Sequence, residues 1–331
     1  MTGYPGFQYL FLIIILLSGL SSFQVSATED KVVSIVYVGE KGDFSYLQRA
    51  FQGLARAENE LNISVRDIPW NASMPVDPVT DSNGTKSRAV IIMGDIMNGY
   101  KKNLTLQYPD VPVIMIDGGG ISGHETKSVS FSMYGTCYLA GVLAANQTKT
   151  GKIGLIAGVD APVLMGFIDG FTGGAQTENP DVIVNVSYLA DDYSGFSMPD
   201  EAGELTGEMY RNGTDIIFQV AGSSGTGVID TAKTLPGVFV IGSDSDQSGL
   251  APGTVMASAI KSLDIVIFDE LKEIFSGTYV PGRDVTGLKD EGSSLVINPV
   301  FDNLSAVIET RKGEAIEKEK EYLITHPLIQ S

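Results

Sequence analysis

The stretch from Gly213 to Lys261 reads GTDIIFQVAGSSGTGVIDTAKTLPGVFVIGSDSDQSGLAPGTVMASAIK. An unbroken apolar run (Ile216 to Val220) leads into small residues, then a helical pattern. A second apolar run (Val238 to Gly242) follows and ends in Asp244 and Asp246. Runs without alternation suit strands covered on both faces, the habit of parallel sheets. In such sheets ligand groups gather where strands stop at their carboxyl ends. Here an aromatic (Phe218), a turn lined by Gly222, the two aspartates and Lys261 fall on that edge. This combination suits a flat, polyhydroxylated small molecule better than a phosphate.

The same rhythm extends in both directions. Apolar runs at Val32 to Val38, Ala89 to Met93, Val113 to Ile116, Val129 to Phe131, Ile153 to Ala157, Val182 to Val186 and Val255 to Ile260 predict further strands. Helical patterns fall at Tyr46 to Leu61, Met133 to Thr148, Pro162 to Glu178, Pro199 to Asn212, Gly225 to Leu235 and Ser262 to Ser276, and Asn303 to Tyr322 reads as a terminal helix. Alternating strands and helices imply an α/β chain of βαβ units. No long linker divides it, since the polar stretch from Pro69 to Ser87 is short for a domain boundary.

Two other readings of the glycine-rich turn fail. Glycines 222, 225 and 227 follow the order G-x-x-G-x-G with no Lys-Ser/Thr pair after them, and Thr150-Gly-Lys152 precedes a strand rather than a helix, so a phosphate loop is rejected. His124 and His326 are the only histidines and belong to no ligand motif, so neither a metal nor a cofactor is expected.

The chain has 331 residues, 43% hydrophobic and 19% charged, which fits a globular protein with one large or two medium domains. Its formal charge of −18 argues against a nucleic-acid partner, whose phosphates it repels. Cys137 is the single cysteine, so no intrachain disulfide is possible. Residues 1–27 carry no charged side chain, and their apolar run from Tyr9 to Leu20 is shorter than the roughly 20 residues of a membrane span. Val25-Ser26-Ala27 places small residues where a signal peptidase cuts, so residues 1–27 read as an export signal. No Lys or Arg precedes the apolar run, which leaves an uncleaved amino-terminal anchor as the alternative. Sequons of the form N-x-S/T begin at Asn62, Asn71, Asn83, Asn103, Asn146, Asn185, Asn212 and Asn303, eight of the twelve asparagines. Ordinary Ser and Thr usage places roughly one asparagine in seven in such a context. The excess implies a glycosylated protein of the cell exterior.

Six segments carry a family resemblance: Val111 to Asp117 (VPVIMID), Tyr138 to Ala145 (YLAGVLAA), Lys149 to Gly154 (KTGKIG), Phe167 to Phe171 (FIDGF), Ile217 to Gly222 (IFQVAG) and Ile241 to Gln247 (IGSDSDQ). Together and in this order they resemble the basic membrane protein family of solute receptors of ABC importers, which includes purine-nucleoside receptors. The resemblance covers roughly Val32 to Val300. It implies a type I periplasmic-binding-protein fold: two Rossmann-like lobes joined by crossover strands, with the ligand between them. Crossings are expected near Ser128 to Ser132, Ala257 to Lys261 and Ser294 to Pro299. Residues 31–129 with 259–293 would form lobe 1, and 130–258 with 294–331 lobe 2. Many receptors of this family are held by an acylated cysteine after the signal. No cysteine stands there in this chain, which together with the sequons points to an archaeal exterior.

The resemblance also suggests site residues. In GDFSYLQRAFQG (Gly42 to Gly53), Asp43, Ser45 and Tyr46 match a segment whose aromatic faces the ligand, while Leu47 replaces a common asparagine. An amide reads a purine edge by donating and accepting at once, and leucine cannot. Asp43 reads equally as a helix N-cap. Tyr46 and Phe218 would sandwich a base from opposite lobes, with Phe196 at its edge, although single aromatics beside strands are often core. Asp117, before three glycines, would accept from a base N–H or a sugar hydroxyl, or else order the turn. Asp244 is favoured for a ribose diol, Asp246 for the turn that follows, and Lys261 for the sugar.

The expected function is capture of a purine nucleoside or related molecule, riboflavin included, by a monomeric receptor that delivers it to an ABC permease and its ATPase. No catalysis is expected. The rival readings are a calcium-dependent nucleoside hydrolase, suggested by Asp-Ser-Asp at 244–246, and a surface sensor without a permease. Against the hydrolase, such sites cluster carboxylates at the first strand, where only Asp43 stands.

Overall fold

The computed structural model describes residues 31–39, 41–42, 44–70, 76–94, 98–118 and 125–328; the expected signal at residues 1–27, Asp43, Asn71 and His124 lie outside them. The first part of the chain runs β1 (Val32–Tyr37), α1 (Tyr46–Leu61), β2 (Ser64–Pro69), β3 (Ala89–Met93), α2 (Asn98–Gln107), β4 (Val113–Ile116) and β5 (Thr126–Phe131). The second runs α3 (Tyr134–Gln147), β6 (Lys152–Val159), α4 (Pro162–Glu178), β7 (Ile183–Ala190), α5 (Pro199–Arg211), β8 (Ile216–Val220), α6 (Gly225–Ala232), β9 (Phe239–Asp244) and β10 (Val255–Lys261). Then come α7 (Leu263–Ser276), β11 (Gly282–Thr286), β12 (Ser293–Ile297) and α8 (Ser305–Thr325).

The strands form two six-stranded sheets, ordered β2-β1-β3-β4-β5-β11 and β7-β6-β8-β9-β10-β12. Counted from each sheet's own first strand, both orders are 2-1-3-4-5 with a sixth strand added beyond the fifth. Every pairing is parallel except β10 with β12. This is a doubly wound α/β order, with its switch point between strands 1 and 3. The central strands β3, β4 and β8 are buried at every residue, as their unbroken apolar runs require.

Three strands escape the sequence reading: β2 (SVRDIP), β11 (GRDVT) and β12 (SSLVI). All three are sheet edges, where one flank meets solvent and polar residues are tolerated. The helix starts were more legible. Pro162 and Pro199 open α4 and α5 at the position where a missing N–H costs nothing.

The chain passes from the first sheet to the second after β5, returns after β10, and passes again between β11 and β12. The third passage therefore lies at residues 287–292, earlier than the expected Ser294 to Pro299. The reason is that β12 pairs with β10 over its whole length, Lys261 opposite Ser293 and Ala257 opposite Ile297. β10 belongs to the second sheet as far as Lys261, so the expected boundary at 259 also moves.

Hydrogen bonds bind the three passages together. Ser132 N donates to Thr286 O (2.8 Å), and Ser262 N donates to Gly292 O (2.9 Å). Ser293 Oγ donates to Ser132 O (3.0 Å). The buried carboxylate of Glu319 on α8 accepts from Gly135 N (3.1 Å) and Leu288 N (3.0 Å), clipping the first passage to the third. Burial pushes the Glu319 carboxyl up from the usual glutamate range, although these donors and Ser132 pull it down.

Candidate functional site between the two switch points

A cavity of about 210 Å³ opens where the strands of both sheets stop. The first lobe lines it with Val38 and Gly39 after β1, Met93 and Gly94 at the end of β3, Asp117 after β4, and Tyr46 and Leu47 at the start of α1. The second lines it with Val163, Leu164 and Phe167 of α4, which follows β6, and with Val220, Gly222 and Ser223 at the end of β8. Tyr193 and Phe196 follow β7, and Asp244 and Lys261 end β9 and β10. Each lobe thus presents the ends of its strands 1 and 3, the place where the strand order reverses.

The aromatic wall is built by a 3-10 turn, Tyr193–Ser197. Asp192 opens it by accepting from Ser194 N (2.9 Å). The turn is pinned from β8's side: Ser223 Oγ donates to Phe196 O and Ser224 Oγ to Gly195 O, both at 2.7 Å. Phe196 lies over two glycines. A Cβ on Gly158 would stand 2.6 Å from its ring, and one on Gly222 3.3 Å, where φ is +55° as well. Larger residues at either position would lift the ring out of place. Tyr193 packs beside Phe196 with ring centroids 5.9 Å apart.

Below the aromatics lies the charged floor. Lys261 Nζ contacts Asp117 Oδ2 at 2.6 Å, both side chains nearly sealed from solvent. The rings of Tyr46, Phe131 and Phe167 surround the ammonium, with centroids 5.1, 5.6 and 5.5 Å away. Burial works against the lysine's charge. The Asp117 and Asp244 carboxylates and the hydrogen bond to Asp117 outweigh it and hold its pKa above the usual lysine value. Asp244 accepts from Ser45 Oγ (2.8 Å), which comes from the first lobe. Two further bonds cross nearby, Ser245 Oγ to Ser45 O (2.8 Å) and Gln247 Nε2 to Phe44 O (2.9 Å).

Of the expected site residues, Tyr46, Asp117, Phe196, Gly222, Asp244 and Lys261 converge on this cavity, and Asp43 lies outside the described residues. Two expectations are corrected. Phe218 is not a wall: it is fully buried, packed on Phe171 with centroids 5.2 Å apart, one pleat deeper than Val220, which does reach the cavity. Ser45 is fully buried and absent from the lining; its hydroxyl positions Asp244. Asp246 Oδ1 accepts from Ser248 N (3.0 Å), the turn role expected of it.

Sequence reasoning missed Phe167, Tyr193 and Gln247. Phe167 sits within the FIDGF segment, one helical turn before the core residue Phe171 on α4, and nothing in that spacing separates a lining residue from a core one. Cys137 is sealed in the core beneath the floor. Its thiol pKa is pushed well up by burial, then by the Asp244 and Glu319 charges, so it is an inert thiol. Among the described residues no three His, Cys, Asp or Glu side chains group as metal ligands would, and no helix is long and apolar enough to cross a membrane.

The sequence profile of the family described as "ABC transporter substrate-binding protein PnrA-like" (Bmp) matches residues 30–328. Basic membrane protein D of Borreliella burgdorferi (strain JD1) is 30% identical over 296 residues, 88% of this chain and 86% of that one. The ABC transporter nucleoside-binding protein BmpA of Lactococcus lactis subsp. cremoris is 26% identical over 332 residues, covering 92% and 93%. A solved solute-binding protein of an ABC transporter system from Aeropyrum pernix K1 superposes with a TM-score of 0.72 at 23% identity, covering 89% and 91%. The two-lobed architecture is the type I periplasmic-binding-protein fold. The chain belongs to the PnrA-like family of ABC transporter substrate-binding proteins.

Proposed function

We propose that the chain is exported and captures a purine nucleoside in this cavity, delivering it to an ABC permease and its ATPase. The observation that carries the reading is the union, in one cavity, of an aromatic wall from one lobe with carboxylates from both. Stacking on an aromatic face contributes on the order of 1–3 kcal/mol per base. A carboxylate that accepts from two sugar hydroxyls makes charge-assisted bonds of roughly 1.5–3 kcal/mol each. Phe196 with Tyr193 supplies the first and Asp244 the second. Asp117 and Lys261 neutralise one another at the floor, which leaves the site no surplus cation to favour a phosphate. The Lactococcus relative, named as a nucleoside-binding protein, supports the same ligand class.

Binding requires no chemistry. The lobes close about the three passages, exclude water from base and ribose, and present the closed form to the permease. The protein acts as a monomer, and its strong negative charge keeps nucleic acid away.

Calorimetry with adenosine, guanosine, inosine, 2′-deoxyadenosine and riboflavin tests the reading. A ribonucleoside should bind more tightly than its 2′-deoxy analogue by roughly 1–3 kcal/mol, a gap that Asp244→Ala removes. No free base should appear during the titration. Binding of riboflavin alone, or release of base, would replace this reading with another.

A further inference from the structure

We infer that the chain is N-glycosylated on Asn62, Asn83, Asn103, Asn146, Asn185, Asn212 and Asn303, most of them at the poles of the lobes away from the cavity; the eighth sequon, at Asn71, lies outside the described residues. These are the sequon asparagines among the described residues, and every one is exposed. Exposure is not general for asparagine here. Asn298, outside any sequon, is buried and donates to Pro252 O and Val255 O, and Asn179 is half-buried.

Their placement in the fold is the second observation. The cavity lies at the carboxyl ends of the parallel strands, so the amino ends mark the opposite pole of each lobe. Asn62 caps α1 two residues before β2 begins, and Asn212 caps α5 four residues before β8. Asn146 closes α3 ahead of β6, and Asn185 pairs with Gly154 near the start of β7 and β6. β12 runs antiparallel to β10 and so returns the chain to that pole before Asn303. Asn83 lies in the tight turn between Thr80 and Lys86, ahead of β3, and Asn103 is midway along α2. None lines the cavity. Strands of five or six residues set the polar sites roughly 17–20 Å from the strand ends that face the ligand.

The modification joins the asparagine side-chain nitrogen to the anomeric carbon of an oligosaccharide carried on a lipid phosphate. The bond from that carbon to the phosphate oxygen breaks, the lipid phosphate leaves, and the amide releases one proton. An extracytoplasmic oligosaccharyltransferase and its lipid-linked donor are the required co-reactants, so the inference rests on export and not on the identity of the ligand. Thr214, the hydroxyl partner of Asn212, is buried, so that site is modified before the second lobe closes around it.

Peptide-level mass spectrometry of the protein purified from the cells that make it tests the inference. Sugar on four or more of the seven sites is expected, with Asn59, Asn179 and Asn298 bare. Asn59 is an exposed asparagine outside any sequon and serves as the internal control. Replacing with glutamine any asparagine found to carry sugar should lower the intact mass by one glycan. An intact mass equal to the bare polypeptide, occupancy of three sites or fewer, or sugar on the control asparagines would overturn it.

Discussion

Asp117 and Asp244 occupy the same place in the two lobes. Each stands at the end of the fourth strand of a 2-1-3-4-5 sheet, and each reaches a group from the opposite lobe. Both sit in the left-handed region, with φ of 50° and 62°, where aspartate is tolerated better than most residues. Their partners differ in kind. Asp117 meets a buried ammonium, whereas Asp244 meets the hydroxyl of Ser45. The repeated fold delivers two equivalent carboxylates to one floor, and the local sequence gives them different work. One is matched in charge and holds the floor together. The other accepts from a hydroxyl of the opposite lobe and adds its charge to the field around the same ammonium.

The largest expected effect tests that division. Asp117→Ala leaves the Lys261 ammonium buried without its carboxylate, which should cost about 3–5 kcal/mol. Asp244→Ala removes a hydrogen-bonded acceptor and should cost only about 1–2 kcal/mol. Urea denaturation of both variants reads the difference. Equal losses would break the comparison and make Asp244 as structural as its counterpart.

Much of this arrangement is legible in the amino-acid sequence. The unbroken runs at β3, β4, β8 and β9 announce strands covered on both faces, and Asp117 and Asp244 mark the ends of β4 and β9. The edge strands β2, β11 and β12 were hidden, because an edge tolerates residues such as Arg66 and Asp284 that interrupt the pattern. Phe218 shows a second limit. Periodicity places Phe218 and Val220 on one face of β8, but it does not say which of them lies at the depth of the cavity. Ser45 shows a third. A hydroxyl beside a ligand segment reads as a ligand contact, while its partner lies about 200 residues further along the chain.

The walls differ as well as the floors. The first lobe offers Val38, Leu47 and Met93 beside a single aromatic, Tyr46, and the second offers Phe167, Tyr193 and Phe196 beside Val163, Leu164 and Val220. Leu47 is almost wholly buried at the cavity edge and can pack on a base without reading it. Aromatic faces accept any purine. Affinities for adenosine, guanosine and inosine should therefore fall within about tenfold of one another, or about 1.4 kcal/mol. Leu47→Asn should widen the spread. A native preference beyond a hundredfold would assign base reading to another group, Asp117 first.

A smaller effect is expected at Ser45. Its hydroxyl positions Asp244 across the cleft, so Ser45→Ala should weaken ribonucleoside binding by about 1 kcal/mol. The 2′-deoxy analogue should lose less, since it makes less use of that carboxylate. Calorimetry on both ligands separates this from general damage to the fold, which would weaken them equally.

The smallest effect concerns the passages that join the two lobes. Glu319 clips the first passage to the third, and burial raises its carboxyl pKa in the folded protein. A carboxyl with a raised folded pKa binds its proton more tightly folded than unfolded. Its contribution is therefore fully present below the ordinary glutamate value of about 4.3 and is lost as pH rises through the folded pKa. Glu319→Gln keeps an acceptor for one of the two backbone donors and removes the titration. The difference in urea midpoint between native protein and variant, followed from pH 4 to pH 8, isolates this group from the many exposed carboxylates. Native protein should lose stability relative to the variant as pH rises across that window. A difference that moves the other way would mean that the two backbone donors dominate over burial, and that the clip is strongest when charged.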